Sequence, residues 1–351
     1  MDFILNGQGH GSVAGNLIAN GMDVRCLRPY LDHEGRSLIS IVQNGKEVAV
    51  PVANATATLR KDAWIHLDTQ IIKAAKERLR VWSDIRGAGL TYSVPNAMGR
   101  TSLEYERQSD INPAIISMDG LRQSQNDRPE FDLSSIPLPI IHKDFFFSAR
   151  QLAASRDSGS PLDTTTAELA GRRVAEELEK LTLGVSSTYS FGGGTIYGLR
   201  NFTSRMTKVI TSPEAGGWTP ATLVNEVLEM KLQSHNAYHY GPWMIYHSPA
   251  WDPYMDDDYS AAKGDNTLRE RLKKIAGIQD VRVADHLPDY DLIMVQMTSD
   301  VSRCVLGIDL VTVQWEVQGG MQVNYKVMCI LVPQFRSDIN GKTGIVHGAP
   351  A

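Results

Sequence analysis

The sequence predicts an α+β fold, and two observations support that prediction. Segments typical of strands and of helices are mixed along the chain without a regular alternation, so a doubly wound parallel sheet is not expected. A polar stretch with a strand pattern, from Thr91 to Phe131, lies between two amphipathic helices. Such an excursion is uncommon inside a compact domain, and an isolated two-stranded ribbon is marginal in water. We therefore expect another copy of the same chain to support it, which favours an assembling protein over an enzyme.

The composition is that of an ordinary globular protein. The chain has 351 residues, 42% hydrophobic and 21% charged, which is enough for two or three packed units. A net charge of -5 argues against DNA binding over the whole surface, because such binding depends on Lys and Arg. The cysteines at 26, 304 and 329 lack zinc or redox spacing, which fits a reducing compartment. No apolar window approaches about 18 residues, so we expect neither secretion nor membrane insertion.

Residues 1–60 predict an arm or a small β appendage. The stretch from Gly7 to Gly21 is rich in glycine. Apolar residues alternate on both sides of Asn44-Gly45, and these are Ile39, Ile41, Val42, Val48, Val50 and Val52. An Asn-Gly pair flanked in this way is a strong hairpin signal.

A helix is predicted from Asp62, a good N-cap residue, to about Trp82. Its apolar residues recur at steps of three and four, at Trp64, Leu67, Ile71, Ala75 and Leu79. The helix and its exit also carry an excess of cations, which include Arg78, Arg80 and Arg86. A solvated helix face is the simpler interpretation, and a surface that faces a polyanion is the alternative.

The excursion lies within a stretch without lysine, from Glu77 to His142. Residues 90–94 and 103–108 have the composition of strands. Apolar residues then follow at Ile111, Ile115, Ile116, Met118 and Leu121, before the very polar segment 122–128. These apolar side chains need a partner surface.

Residues 136–147 predict a strand segment, and Ser148 is expected to begin a short helix. The clearest helix of the chain follows, with Asp163 as its predicted N-cap and Gly184 as its stop. Its apolar stripe consists of Ala167, Ala170, Val174, Leu178 and Leu181. At about 1.5 Å per residue the helix spans roughly 30 Å, which is enough to cross a whole domain.

The second half of the chain mixes both kinds of element. A helix is predicted from Trp218-Thr219-Pro220 to about His235, followed by a buried strand at 243–248 and a helix at 266–276. Further strands are predicted near 281–284, 292–297, 304–307, 311–317 and 323–332.

No motif supports catalysis or cofactor binding. The glycine-rich segments 7–11 and 191–195 lack the dinucleotide and P-loop patterns. His235 and His239 have the one-turn spacing of a metal pair, with His247 nearby, but Asn236 stands where a metalloprotease helix carries glutamate. We therefore assign no catalytic residue, no cofactor and no metal site.

Several segments, in this order along the chain, carry a family resemblance. They are Ala74-Ala75-Lys76-Glu77-Arg78-Leu79, Ser148-Ala149-Arg150-Gln151-Leu152-Ala153-Ala154-Ser155, Ile196-Tyr197-Gly198-Leu199-Arg200-Asn201 and Tyr240-Gly241-Pro242-Trp243-Met244-Ile245. Together with the order of elements, they resemble the major capsid proteins of tailed bacteriophages with the Hong Kong 97-type fold and the related encapsulin shells. The resemblance covers residues 62–340.

The resemblance implies a domain organisation. Residues 1–89 would form the N-terminal arm with its hairpin and helix, 90–135 the extended E-loop, and 136–216 the peripheral domain with its spine helix. Residues 217–325 would form the axial domain, and 326–351 would return to the peripheral domain.

The resemblance also implies a function. The protein would build the icosahedral head shell of a phage from hexamers and pentamers, enclosing double-stranded DNA. Assembly would take place in the host bacterial cytoplasm, with a separate scaffolding protein and a portal as partners and a decoration protein as a further candidate. The E-loop residues expected at contacts between subunits are Tyr105, Arg107, Ile111, Ile115, Ile116, Met118 and Leu121. The residues expected to face DNA are Arg78, Arg80 and Arg86.

Two features of the chain depart from this pattern. Residues 1–60 exceed what encapsulin shells place before their first helix, which favours a virus capsid. Some relatives join an E-loop lysine to an asparagine of a neighbour, but this loop has no lysine. We therefore expect a noncovalent shell, although Asn340 lies in a late loop. A compartment shell around a cargo protein and a metal-dependent enzyme using His235, His239 and His247 are the alternatives.

Overall fold

A computed structural model gives the fold of this protein. It describes residues 28–32, 34–43, 46–51, 59–109, 111, 114–118, 121, 128–158, 164–259, 266–317 and 321–350. Within these residues lie one five-stranded sheet, two four-stranded sheets and two two-stranded sheets, with helices packed between them. The predicted α+β class is confirmed.

The N-terminal sheet precedes the first helix. Its strands are β1 (Tyr30–Leu31), β2 (Ser37–Gln43), β3 (Lys46–Pro51) and β4 (Leu59–Arg60), in the order β3-β2-β1-β4. Strands β2 and β3 pair antiparallel with Gln43 opposite Lys46, so the predicted hairpin is confirmed. Its turn and the glycine-rich segment 7–21 lie outside the described residues.

The predicted helix 62–82 is two helices, so that prediction is wrong in its extent. Helix α1 spans Lys61–Lys76 and helix α2 spans Val81–Gly87. The N-cap of α1 is Arg60, and Asp62 lies in the first turn instead. The predicted apolar face is confirmed, because Trp64, Leu67, Ile71 and Ala75 are buried.

A buried carboxylate marks the start of α2. Glu179 is 2% exposed and accepts hydrogen bonds from the backbone N–H groups of Arg80, Val81 and Trp82, at 3.2, 2.7 and 3.3 Å. The first N–H groups of a helix have no partner inside it, so these bonds satisfy α2 at the point where the chain turns. Burial raises the pKa of Glu179 to about 7, although its three backbone donors favour the ionised form.

Helix α2 also contacts both large sheets. The Asp84 carboxylate accepts a hydrogen bond from the Tyr246 hydroxyl at 3.1 Å and pairs with Arg282 at 2.5 Å. Behind the helix, the Cys304 thiol approaches the Trp82 carbonyl at 3.8 Å. One short helix therefore links three parts of the fold.

The long helix that supplies Glu179 is α4 (Thr165–Leu183), which follows α3 (Ala149–Ser158). Its N-cap is Thr164, and the predicted cap Asp163 lies outside the described residues. Helix α1 packs so closely on α4 that a Cβ at Gly171 would lie 2.7 Å from Ile71 Cγ2. Only glycine allows this approach.

The C-terminus of α4 is closed by the segment that follows it. Gly184 adopts a left-handed φ of 78°, as the predicted stop requires. The N–H groups of Leu199 and Arg200 then donate to the carbonyls of Thr182 and Leu183, at 2.9 and 2.8 Å. A side chain at Gly198 would collide with the backbone of Gly184 at 2.1 Å, so this crossing also needs glycine.

The central four-stranded sheet packs on α1 and α4. Its strands are β5 (Thr91–Ser93), β8 (Ile141–Ser148), β15 (Ser302–Val317) and β16 (Gln322–Phe335), in the order β5-β15-β16-β8. The separate strands predicted at 304–307 and 311–317 are one strand with register shifts between Leu306 and Val311. Residues 91–93 pair with β15, so the predicted excursion begins too early.

The five-stranded sheet has its own core. Its strands are β11 (Met206–Ile210), β12 (Trp243–His247), β13 (Ile278–Val283), β14 (Leu292–Gln296) and β17 (Ile345–Pro350), in the order β11-β17-β14-β12-β13. The helices beside it are α5 (Pro220–Asn236), α6 (Asp252–Met255) and α7 (Leu268–Lys273). Strands β11 and β17 were not predicted.

Sheet membership alone does not test the predicted domain boundaries. The C-terminal strand β17 lies in the sheet of β12 and β14, whereas β16 lies in the central sheet. The division at residues 216 and 325 stays a prediction. Every helix within the described part of the chain is too short or too polar to cross a bilayer.

We predict that Glu179→Ala destabilises the unassembled subunit by about 1–3 kcal/mol, because it leaves buried backbone donors without an acceptor. Urea denaturation measures this change. The matched control is Glu177→Ala, two residues away on the same helix and exposed, for which a change within about 0.5 kcal/mol is expected.

The cost of Glu179→Ala should also depend on pH. Because the folded pKa of about 7 lies above the ordinary value of 4.5 for a glutamate, the folded state holds the extra proton between these values. The contribution of Glu179 to stability is therefore largest at low pH and declines as pH rises towards 7. The variant should lose more stability at pH 5 than at pH 8, and the opposite order would contradict the assignment.

Candidate assembly surface

A two-stranded ribbon projects beside the central sheet. Strand β6 (Ser102–Gln108) pairs antiparallel with β7 (Phe131–Pro137), from Ser102 opposite Pro137 to Gln108 opposite Phe131. These two strands form a sheet of their own. The predicted ribbon is therefore present, over a shorter span than residues 91–131.

The base of the ribbon packs on its own subunit. Leu103 and Ile136 face each other across the strands and are 7% and 6% exposed, in a cluster with Val305, Ile330 and Val332. The core of the same subunit thus supports the base of the ribbon, where the sequence led us to expect support from another copy of the chain. A two-stranded ribbon is stable when packing supports it in this way.

Tyr105 and Arg107 continue the same face of the ribbon. The Arg336 guanidinium lies over the Tyr105 ring, 5.8 Å from its centroid, and Arg107 forms an ion pair with Asp132. Both side chains therefore have partners within the subunit. Their role in contacts between subunits stays a prediction.

The opposite face of the ribbon exposes two apolar side chains that the sequence analysis missed. Phe131 and Leu133 are 61% and 62% exposed. They alternate with Asp132 and Ser134, and this period of two was a signal that could have identified them. Adjacent acidic side chains at Glu104 and Glu106 are also exposed.

The tip of the ribbon carries apolar residues that the sequence analysis predicts at contacts between subunits. Their exposed fractions are 60% for Ile111, 45% for Ile115, 97% for Ile116, 106% for Met118 and 85% for Leu121. The isolated subunit leaves these side chains uncovered, and their role at contacts between subunits stays a prediction. Several large apolar side chains exposed along one segment are typical of an interaction site.

The predicted cationic residues do not form one open patch. Arg86 makes a two-pronged ion pair with Asp309, with N–O distances of 3.3 and 2.8 Å. Arg80 lies 3.6 Å from the Asp285 carboxylate and donates to the Val283 carbonyl at 3.4 Å. Each neutralised guanidinium attracts a polyanion less strongly. The DNA-facing role of Arg78, Arg80 and Arg86 stays a prediction.

The histidines considered as metal ligands do not converge. His235 stacks on Trp243 with ring centroids 5.3 Å apart, and His239 lies 3.7 Å from the Asp300 carboxylate. His247 is fully buried and contacts the Ser248 carbonyl, and burial lowers its pKa. In the described part of the chain, no three His, Cys, Asp or Glu side chains group as metal ligands.

Comparison with known protein families places this chain in one of them. A family model described as "Family of unknown function (DUF6260)" matches residues 54–348, which is most of the chain. The chain belongs to this family. The β2–β3 hairpin lies before the matched region.

Among curated proteins, the chain is similar to the type 1 encapsulin shell protein EncA of Myxococcus xanthus. The two are 24% identical over 204 residues, which are 56% of this chain and 64% of the encapsulin. The similarity therefore spans slightly less than two thirds of that protein.

Solved structures show the same fold. The virus-like particle protein of Pyrococcus furiosus aligns with a TM-score of 0.56 at 15% identity, over 82% of this chain and 99% of that one. The capsid of Myoviridae phage XM1 aligns with a TM-score of 0.53 at 10% identity, over 72% of this chain and 86% of that one. The capsid of the native GTA particle aligns with a TM-score of 0.54 at 14% identity, over 78% of this chain and 91% of that one.

The predicted relationship to Hong Kong 97-type capsid proteins and encapsulins is confirmed by these comparisons. The α+β fold of this family member is the Hong Kong 97-type fold. The proteins it matches are capsid and shell proteins, in agreement with the prediction of a structural protein rather than an enzyme.

We predict that Ile115→Asp combined with Ile116→Asp blocks particle formation and leaves a folded subunit. Both side chains are exposed in the isolated subunit, so the change removes no described core contact. Charged side chains would, however, be costly to bury between subunits. Size-exclusion chromatography with electron microscopy measures assembly, and circular dichroism checks the fold.

The matched control for this double variant is Ile115→Ser with Ile116→Ser, which removes the apolar groups without adding charge. Its assembly should be weakened less. An unchanged particle yield from the aspartate variant would show that the tip is not part of the contact surface between subunits.

Proposed function

We propose that this protein assembles through noncovalent contacts into the icosahedral head shell of a tailed phage with a double-stranded DNA genome. The observation that carries the proposal is the apolar tip of the ribbon, which the subunit itself leaves exposed, on a Hong Kong 97-type fold. Copies arranged as hexamers and pentamers can cover this surface for one another. The shell would belong to the virion and assemble in the host bacterial cytoplasm.

Noncovalent cohesion is physically sufficient for such a shell. Each contact contributes modestly, and a closed lattice repeats it many times, so the assembled particle is far more stable than a single pair. Weak individual contacts also let a misplaced subunit dissociate during growth. The lysine-free sequence from Glu77 to His142 supports a ribbon that does not use a lysine crosslink.

The sheet before α1 supports a virus capsid rather than a compartment. It adds the β2–β3 hairpin ahead of the region that the family model covers, and it is anchored to the first helix. Trp64 Nε1 donates to the Pro29 carbonyl at 3.1 Å, and Arg28 pairs with Asp68 at 2.5 Å. An anchored strand pair at this position can reach over a neighbouring subunit.

The second candidate function is an encapsulin-type compartment that encloses a cargo protein. The similarity to EncA, which is detectable from the sequence, favours it. Under the phage proposal the partners are instead a separate scaffolding protein, a portal and packaged DNA, with a decoration protein as a further candidate.

The contents of native particles distinguish the two functions. Particles purified from the producing culture and treated with nuclease should hold protected double-stranded DNA, measured by absorbance and gel electrophoresis. Mass spectrometry should identify portal protein in them. Particles without nucleic acid but with a second protein inside would establish the compartment instead.

The same particles test the absence of covalent links. Boiling in denaturing detergent should reduce the shell to a single monomer band. Ladders that persist under reducing conditions would refute a noncovalent shell. If neither native particles nor the expressed protein formed closed shells, both functions would fail.

We further propose that the region around α2 faces the packaged DNA through Arg78, Arg80 and Arg86. Reversing the charge of Arg78 and Arg80 to Glu should lower the amount of protected DNA per particle, because DNA attraction depends on neutralising phosphates. Arg86 is left unchanged because its pair with Asp309 also has a structural role. Quantitative DNA analysis of purified particles measures the effect.

The control for this change is Arg36→Glu, an exposed arginine of the N-terminal sheet. Equal DNA content in the Arg78/Arg80 variant and in the control would place the DNA-facing surface elsewhere.

A further inference from the structure

A recess of about 180 Å³ lies beside the base of the ribbon. Its floor is apolar and buried, with Ala97, Leu138 and Ile330 between 2% and 6% exposed. Its rim is apolar and open, with Ile140, Tyr189 and Phe191 between 43% and 52% exposed. Of the described lining residues only Arg100 is charged, so the recess suits an aliphatic guest.

The walls of the recess are held by backbone contacts. The N–H of Leu138 donates to the Thr101 carbonyl at 2.8 Å, and a Cβ at Gly307 would lie 2.6 Å from Ala97 Cβ. The hairpin of β9 (Tyr189–Phe191) and β10 (Gly194–Ile196) rests on the ribbon, where a Cβ at Gly194 would lie 2.6 Å from the Ser135 carbonyl oxygen. A preformed recess costs little ordering on binding.

The size of the recess fits an aliphatic side chain. An apolar cavity of about 150 Å³ can hold a benzene molecule. The two most exposed apolar side chains of the tip, Ile116 and Met118, flank Ser117. Residues 114–118 have no regular secondary structure. Bound in an extended conformation, the segment would present Ile116 and Met118 to the same side, with Ser117 pointing away.

The tip of the same subunit does not fill this recess. The recess lies where the ribbon leaves the body, at Pro137 and Leu138, whereas the tip lies beyond Gln108 and Phe131. Seven residues of strand separate the two ends by roughly 20 Å. The exposure of Ile116 and Met118 agrees with this separation, because neither side chain is buried on its own subunit.

We propose that the recess beside Tyr189 and Phe191 binds the Ile116–Met118 segment from a second copy of this chain. The proposal rests on the proposed shell function and names the surface that receives the ribbon tip. The two contacting surfaces are different parts of the chain, so the contact is head-to-tail and every subunit can both give and receive one. Such a contact generates closed rings when its rotation closes, as hexamers and pentamers require.

Disulfide trapping tests this contact in assembled particles. In a Cys26→Ser background, Met118→Cys is combined with Phe191→Cys, and the particles are oxidised. The native thiols Cys304 and Cys329 are buried and stay out of reach. Non-reducing gels should show a ladder up to ring size that collapses to monomer on reduction, because each link joins one subunit to the next.

Each single-cysteine variant should remain monomeric on these gels. So should the matched control that pairs Met118→Cys with Ile65→Cys, which is 56% exposed on α1 and outside the recess. If the double variant fails to assemble, Ile140→Cys replaces Phe191→Cys and tests the same rim.

Particles that form without the Met118–Phe191 link would overturn the recess assignment and leave the shell function intact. A link formed within one chain, seen as a monomer of altered mobility, would also overturn it. Failure of the unmodified protein to form particles would instead count against the shell function itself.

Discussion

One buried carboxylate determines how the parts of this subunit fit together. Glu179 lies on the long helix α4 and accepts three backbone hydrogen bonds from the start of α2. An ionisable group at 2% exposure is costly to bury, and its pKa rises to about 7. The N–H groups at the helix start offset this cost, because they need an acceptor that water cannot supply there. This pairing holds the start of α2 against α4, just after the break that follows α1.

The position of α2 links the main sheets to the long helix. Asp84 connects it to Tyr246 and Arg282 of the five-stranded sheet, and Trp82 lies against Cys304 of the central sheet. The close contact of Gly171 with Ile71 places α1 on the same long helix. The described body is therefore held by contacts between elements far apart in sequence, and the ribbon is attached to it through Leu103 and Ile136.

The base of the ribbon packs into the core of the subunit, whereas its tip and outer face are exposed. Its base contributes to a buried cluster, and Tyr105 and Arg107 have partners on the same chain. Its tip and its outer face, with Phe131 and Leu133, expose apolar surface instead. Under the proposed shell function, the subunit could fold before it associates, because the exposed tip is not needed for its core.

The sequence by itself determined the α+β class, the N-terminal hairpin, the apolar stripes of α1 and α4, and the apolar tip, because local periodicity and turn chemistry encode them. It did not indicate the break after Lys76, the joining of β15 into one strand, or the place of β17 in the five-stranded sheet. Only the tertiary structure decided these, since each depends on a partner far away in sequence. Glu179 is about a hundred residues from the helix it caps, and no local pattern around either one reports the other.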